Sequence, residues 1–163
     1  MYDPATAITG KEAVFAAMPE NLAVVALTDL ASDAKFDRDE LTITVARENI
    51  VAACEAVKAA GYNFFETVTA VDWYPQEPRF QLSYHIVSHS LKERIRLCVR
   101  LDSTDATAPS ITPAWPSANF YEREVFDLFG INFTGHPRLT RIMMPDDWQG
   151  HPLRKDYPVE GYR

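Results

Sequence analysis

The chain predicts an α+β fold, and three observations carry that prediction. Apolar residues switch between period-two and helical spacing along the chain, and Gly or Pro punctuates the switches. The resulting order, α-β-β-α-β-β-β-α, lacks the strict alternation of a wound parallel sheet. Finally, 163 residues that are 47% hydrophobic and 24% charged suit one soluble domain with a sizeable core. A mixed or antiparallel sheet packed by helices is expected over residues 1–130. A long irregular docking segment is expected over 131–163.

The elements follow in order. Thr9 can cap a helix over Lys11–Met18, which Pro19 stops. Leu22–Leu30 is apolar and β-branched enough for a strand, and the polar Ala31–Arg38 reads as a turn. Glu40–Ala46 alternates, with Leu41, Ile43 and Val45 on one face. Over Glu48–Ala60, Ile50, Val51, Cys54 and Val57 fall at helical spacing, and Gly61 supplies the stop. Asn63–Trp73 alternates again. Arg79–His89 and Glu93–Leu101 form a hairpin across Ser90–Lys92. Asp102–Ser117, with three prolines, is a crossing loop. A closing helix starts at Asn119, with Glu122 in capping-box position, and ends at Gly130. Tyr121, Val125, Leu128 and Phe129 form its apolar stripe, while Glu122, Arg123 and Asp127 point elsewhere.

Several function classes are excluded. A net charge of −7 gives no general attraction to nucleic acid or anionic membrane. No run approaches the roughly 18–20 apolar residues of a spanning helix. The N-terminus lacks the basic and apolar regions of a signal peptide. Cys54 and Cys98 are isolated, so neither a cluster nor a cysteine zinc site is expected, and buried thiols are the simplest account. No Gly-rich phosphate loop and no nucleophile elbow occurs. His85 and His89, four apart in a strand, lack a third metal ligand and read as two histidines on a half-exposed sheet face.

What remains is the stretch from Asn119 to Tyr162. Residues 118–163 carry seven acids and six bases, so this part is close to neutral, whereas residues 1–117 carry 16 acids and ten bases. It is too apolar for a disordered tail and too irregular for a helix or strand, so contacts must hold it, either to its own domain or to another chain. Glu122 and Glu124, two apart on a helix, do not converge as a catalytic dyad, and an Arg123–Asp127 pair is the simple expectation. His136 and His151 each precede proline, which restricts them to extended backbone. They suit fixed hydrogen bonds to backbone or carboxylate, or else proton donation in a hydrolase-like site. Arg138, Arg141, Arg154 and Lys155 are interspersed with Asp146, Asp147 and Asp156, and Trp148, Tyr157 and Tyr162 are residue types enriched at interfaces. A protein–protein docking surface is the best-supported reading.

The run YEREVFDLFGINFTGHPRLTRIMMPDDWQGHPLRKDYPVEGY, residues 121–162, closely resembles the signature of the 30 kDa subunit family, the C subunits, of NADH:quinone oxidoreductase, respiratory complex I. The resemblance covers Glu122, Arg123, Glu124, Asp127, His136, Arg138, Arg141, Trp148, His151, Arg154, Lys155, Asp156 and Tyr157 without gaps, and implies that these form a partner interface. It implies a subunit of the hydrophilic arm on the cytoplasmic side of the inner membrane, peripheral to it. Such a protein would dock on subunits D and B near the quinone site. No catalytic, metal or cofactor-binding residue is implied in this chain, because FMN, iron–sulfur clusters and quinone belong to other subunits. Similar subunits serve ferredoxin-fed complexes and membrane-bound hydrogenases, so the electron donor is left open.

Overall fold

The computed structural model describes residues 7–162. The N-terminal reading rests in part on Met1–Thr6, outside the described residues. In chain order the elements are β1 (Ile8–Thr9), α1 (Lys11–Ala17), α2 (Leu22–Ala26), β2 (Ala31–Asp37), β3 (Glu40–Val45) and a short 3-10 turn at Arg47–Asn49. There follow α3 (Ile50–Ala59), β4 (Phe64–Asp72), β5 (Phe80–Ser88), β6 (Glu93–Leu101), β7 (Thr107–Pro109), α4 (Ala118–Phe129) and β8 (Asn132–Thr134). Six strands form one sheet in the order β1-β2-β3-β6-β5-β4, and β7 pairs with β8 in a second. β3 and β6 run parallel and the other neighbours in the large sheet antiparallel. The α+β expectation with a mixed sheet therefore holds.

Alternation decides which face is covered. Leu41, Ile43, Val45, Ile95, Leu97, Val99 and Leu101 all point to one face and are buried with Val14, Leu27, Ile50, Cys54 and Val57 from the helices. Each such side chain contributes about 1.5–3 kcal/mol when fully buried. Thr42, Thr44, His85, Arg96, Cys98 and Arg100 alternate to the other face, where bonds such as Arg96 to Glu40 and Thr42 run over the strands. Cys54 and Cys98 are thus free, buried thiols on opposite sides of the sheet, and burial raises both thiol pKa values.

Several local expectations are corrected. Leu22–Leu30 is not a strand: Asn21 accepts from Ala23 N (3.0 Å) and Val24 N (3.2 Å), starting α2. Ala23, Val24 and Leu27 are buried while Leu22 and Val25 are exposed, which is helical spacing that the β-branched composition obscured. Ala31–Asp37, read as a turn, is strand β2. It is closed onto β3 by Arg38 and Asp39, both left-handed as a two-residue hairpin requires. Gly10 rather than Thr9 is the cap of α1, and Thr9 pairs with Lys35. His89 lies in the turn beyond β5 with its ring edge-on to Phe64, so it shares no strand with His85. The crossing loop contains β7, which pairs in parallel with β8. Ile131 and Phe133 are consequently core residues beyond Gly130.

Candidate functional site

α4 positions the site. It packs on β4, with Tyr121 edge-on to Phe65, whose other neighbour is the stacked Trp115. Ser117 occupies the cap position without a side-chain bond, so Asn119 is not the cap and Glu122 makes no capping box. Instead Glu122 is fully buried and accepts from Ser110 Oγ (2.6 Å) and Ile111 N (2.7 Å), anchoring the crossing loop. Burial pushes its carboxyl up to about 7, against the lowering effect of those two donors.

The far end of α4 carries the C-terminal strap, residues 135–162. The last carbonyls of a helix have no intrahelical donor. Here the strap supplies the donors. His151 Nδ1 donates to Asp127 O (2.9 Å), Leu153 N to Leu128 O (3.0 Å), Arg154 Nε to Phe129 O (2.6 Å) and Arg154 Nη2 to Gly130 O (3.4 Å). Cationic donors at this end also suit the helix dipole. Gly130 is required twice over: its φ is 70°, and a Cβ there would lie 2.5 Å from the His151 ring and 2.7 Å from Arg154 Nη2.

Two carboxylates make the remaining anchors. Asp127 is fully buried. Its Oδ1 accepts from Arg141 Nη1 (2.5 Å), and its Oδ2 accepts from the backbone N–H groups of Ile142 (2.9 Å), Met143 (2.7 Å) and Met144 (2.9 Å). Burial alone would raise this carboxyl, but the three N–H groups and Arg141 outweigh it and hold it below the usual range. Arg141 continues to Trp148 O and Gly150 O, so one guanidinium joins two arms of the strap. The expected Arg123–Asp127 pair is absent, because Arg123 bonds Thr140 O and Arg141 O. At the second anchor Arg79 makes bidentate bonds to Asp72 (2.8 and 2.9 Å) and to Asp156 of the strap (2.6 and 3.0 Å). Lys155 N also donates to Asp72 (2.8 Å). Asp72 is held at about 2: burial raises it, and Arg79 with two backbone donors overcomes that. Arg79 and Arg154 both lie over the Phe80 ring.

The residues of the signature therefore divide. Glu122, Asp127, Arg123, Arg141, His151, Arg154 and Asp156 bond within the chain. So does His136, whose Nε2 donates to Asn119 O (3.2 Å) while Nδ1 accepts from Arg138 N (3.0 Å); both ring nitrogens are engaged. Glu124, Arg138, Trp148 and Lys155 carry exposed side chains, and Tyr157 is half-buried. Asp72 and Arg79 escaped the sequence reading. Their available signal was an acid at an inward position of β4, two residues after Ala70, which demands a partner. Among the described residues no group of three His, Cys, Asp or Glu side chains could hold a metal, and two cysteines on opposite faces cannot supply the four thiolates of a cluster.

What the fold and site define is a strapped α+β domain, whose strap is bolted to the end of one helix and shows its other side to solvent. Comparison with known proteins gives the particular family. Residues 43–163 match the family model described as the 30 kDa subunit of respiratory-chain NADH dehydrogenase, and the chain belongs to that family. It is 47% identical over 146 residues to the C subunit of NADH-quinone oxidoreductase from Citrifermentans bemidjiense, covering 86% of this chain and 91% of the relative. Among solved structures it is similar to a trypsin-resistant fragment of Nqo5 (36% identity, TM-score 0.58, 61% of this chain and 83% of that one). It is also similar to a chain of the membrane-bound sulfane sulfur reductase, an archaeal respiratory membrane complex (28% identity, TM-score 0.73, 83% of this chain and 82% of that one). Among the described residues no helix is long and apolar enough to cross a membrane.

Proposed function

We propose that this chain is a docking subunit of a membrane-bound, quinone-reducing respiratory complex of the complex I type. In this reading it contributes no catalytic group, binds peripherally on the cytoplasmic side of the inner membrane, and packs on subunits D and B near the quinone site. Flavin, clusters and quinone then sit on other subunits. The observation that carries the reading is the strap: its bonds to α4, Asp72 and Arg79 fix one side, and its Ile142, Met143, Trp148, Leu153 and Tyr162 stay exposed, as does Phe120 of α4. A contact-hungry surface on a rigidly held loop is what a protein partner recognises. The engagement of both His136 nitrogens argues against a hydrolase-like role there.

A second reading concerns the donor. The likeness to the sulfane sulfur reductase chain favours a docking role common to several electron inputs, with ferredoxin-fed or hydrogenase-type complexes as the alternative parents. Co-purification from native membranes, with mass-spectrometric identification of the subunits recovered, separates these. Arg154→Ala tests the docking role: it removes two carbonyl partners of the strap, and a several-fold drop in assembled complex is expected while assembled complexes keep their turnover per complex. Normal assembly with lost quinone reduction would refute it.

A further inference from the structure

We propose that the cleft at the end of the strap is a socket for one arginine or lysine side chain of a neighbouring subunit; this rests on the docking reading above. The cleft has a volume of about 270 Å³ and is lined by the rings of Trp148, Tyr157 and Tyr162 together with Asp147 and Glu160. Among the described residues its lining holds two carboxylates and no cation. Aromatic faces attract a desolvated cation through their ring quadrupole, and an adjacent carboxylate supplies the counter-charge. A purely apolar occupant would strip water from two carboxylates without replacing it, and an anionic headgroup would be repelled.

The cleft is built rather than incidental. Gly150 has φ +80°, and a Cβ there would fall 2.7 Å from the Tyr162 ring and 2.8 Å from the Tyr157 ring. Only glycine lets the backbone pass behind both. The two tyrosine rings meet edge to face, 5.3 Å between centroids and 88° between planes. Tyr157 Oη donates to Gln149 O (3.3 Å), and Gly161 N to Pro158 O (2.9 Å), which closes the turn bearing Glu160. Gly150 O is itself held by Arg141, the residue that bonds Asp127. The socket is therefore continuous with the anchors of the strap and opens on its solvent side, where Trp148 and Tyr162 are 38% and 57% exposed.

Val159 is fully exposed beside Glu160, and both native cysteines are buried, so Val159→Cys can be labelled selectively with a benzophenone maleimide. The labelled full chain is added to membranes that lack it, irradiated, and the cross-linked peptides are sequenced. The expected product is a partner peptide with Arg or Lys within a few residues of the cross-link. Asp147→Lys combined with Glu160→Lys should lower its yield at least tenfold with the chain's melting temperature unchanged. Asp147→Asn with Glu160→Gln should lower it less, because the rings remain. A partner peptide without a base, or a yield indifferent to charge reversal, overturns the socket while docking stands. Cross-links confined to this chain, its own Arg163 included, overturn it as well. Failure to associate with the membranes at all ends both readings.

Discussion

In strands β5 and β6 buried apolar side chains recur at every second position, whereas from Gly135 to Tyr162 no apolar residue is fully buried. Both segments hold a defined course, yet different forces hold them. The sheet domain shares its stability among dozens of apolar contacts, so its energy is spread. The strap depends on a handful of polar anchors: Asp127, Arg141, Arg154 and the Asp72–Arg79–Asp156 cluster. Such anchors are strong where the acceptor is buried and would otherwise be unpaired, as at Asp72 and Asp127. An irregular segment can thus be placed accurately without a core of its own, leaving its outer side free for a partner.

The largest expected effect lies in the core. Val125→Asp puts an unpaired charge on the packed face of α4 and should cost about 4 kcal/mol or more, enough to abolish the cooperative melt. A strap loosened with the sheet intact would contradict this division of forces. Asp127→Asn should act on the strap instead, costing about 3 kcal/mol by unpairing Arg141 and weakening three N–H bonds. Amide exchange at Ile142, Met143 and Met144 should rise sharply and trypsin should cut sooner after Arg138 and Arg141, while the sheet amides stay protected. Exchange spreading into β5 and β6 would show that the two regions are one cooperative unit.

Acidity should separate them further. Asp72, Asp127 and Asp156 all have lowered folded pKa values. Their contribution is complete above the usual carboxylate range, near pH 4, and is lost as pH falls through the folded values. The strap should therefore loosen first on acidification. Glu122 has the opposite sign: raised to about 7, it contributes stability below the usual range, and this is lost as pH rises towards 7. Glu122→Gln should flatten the fall in melting temperature between those limits, worth about 3 kcal/mol; an unchanged slope would assign it to another group. Asp156→Asn is the smallest change, about 1 kcal/mol, since Asp156 is partly exposed and Asp72 still pairs Arg79. Its measurable sign is faster exchange at Lys155 and Tyr157.

Much of the fold was legible because local pattern and burial agree there. β3, α3, β4, β5 and β6 all lie where alternation or helical spacing put them. The misreadings fall where composition and position disagree. The valines of Leu22–Ala26 have strand character, yet Asn21 caps a helix. Ala31–Asp37 is polar, yet β3 recruits it as a strand. For the site, the densest cluster of charges and aromatics is where the sequence points, but the roles within it differ from expectation. Glu122 and Asp127, expected to point away from the packed stripe, are fully buried.

By itself the sequence determined the α+β class, the closing helix with its glycine stop, the strap, and through its signature the family. The reason is that periodicity, turn residues and an unbroken motif are local properties, complete within a short window. Tertiary structure alone decided what the strap's charges hold. Asp72 and Arg79 lie 84 and 77 positions before Asp156, and the carbonyls that bind His151 and Arg154 belong to the backbone of a helix two dozen residues away. A hydrogen bond depends on where atoms meet in space, and no window of residues contains that information.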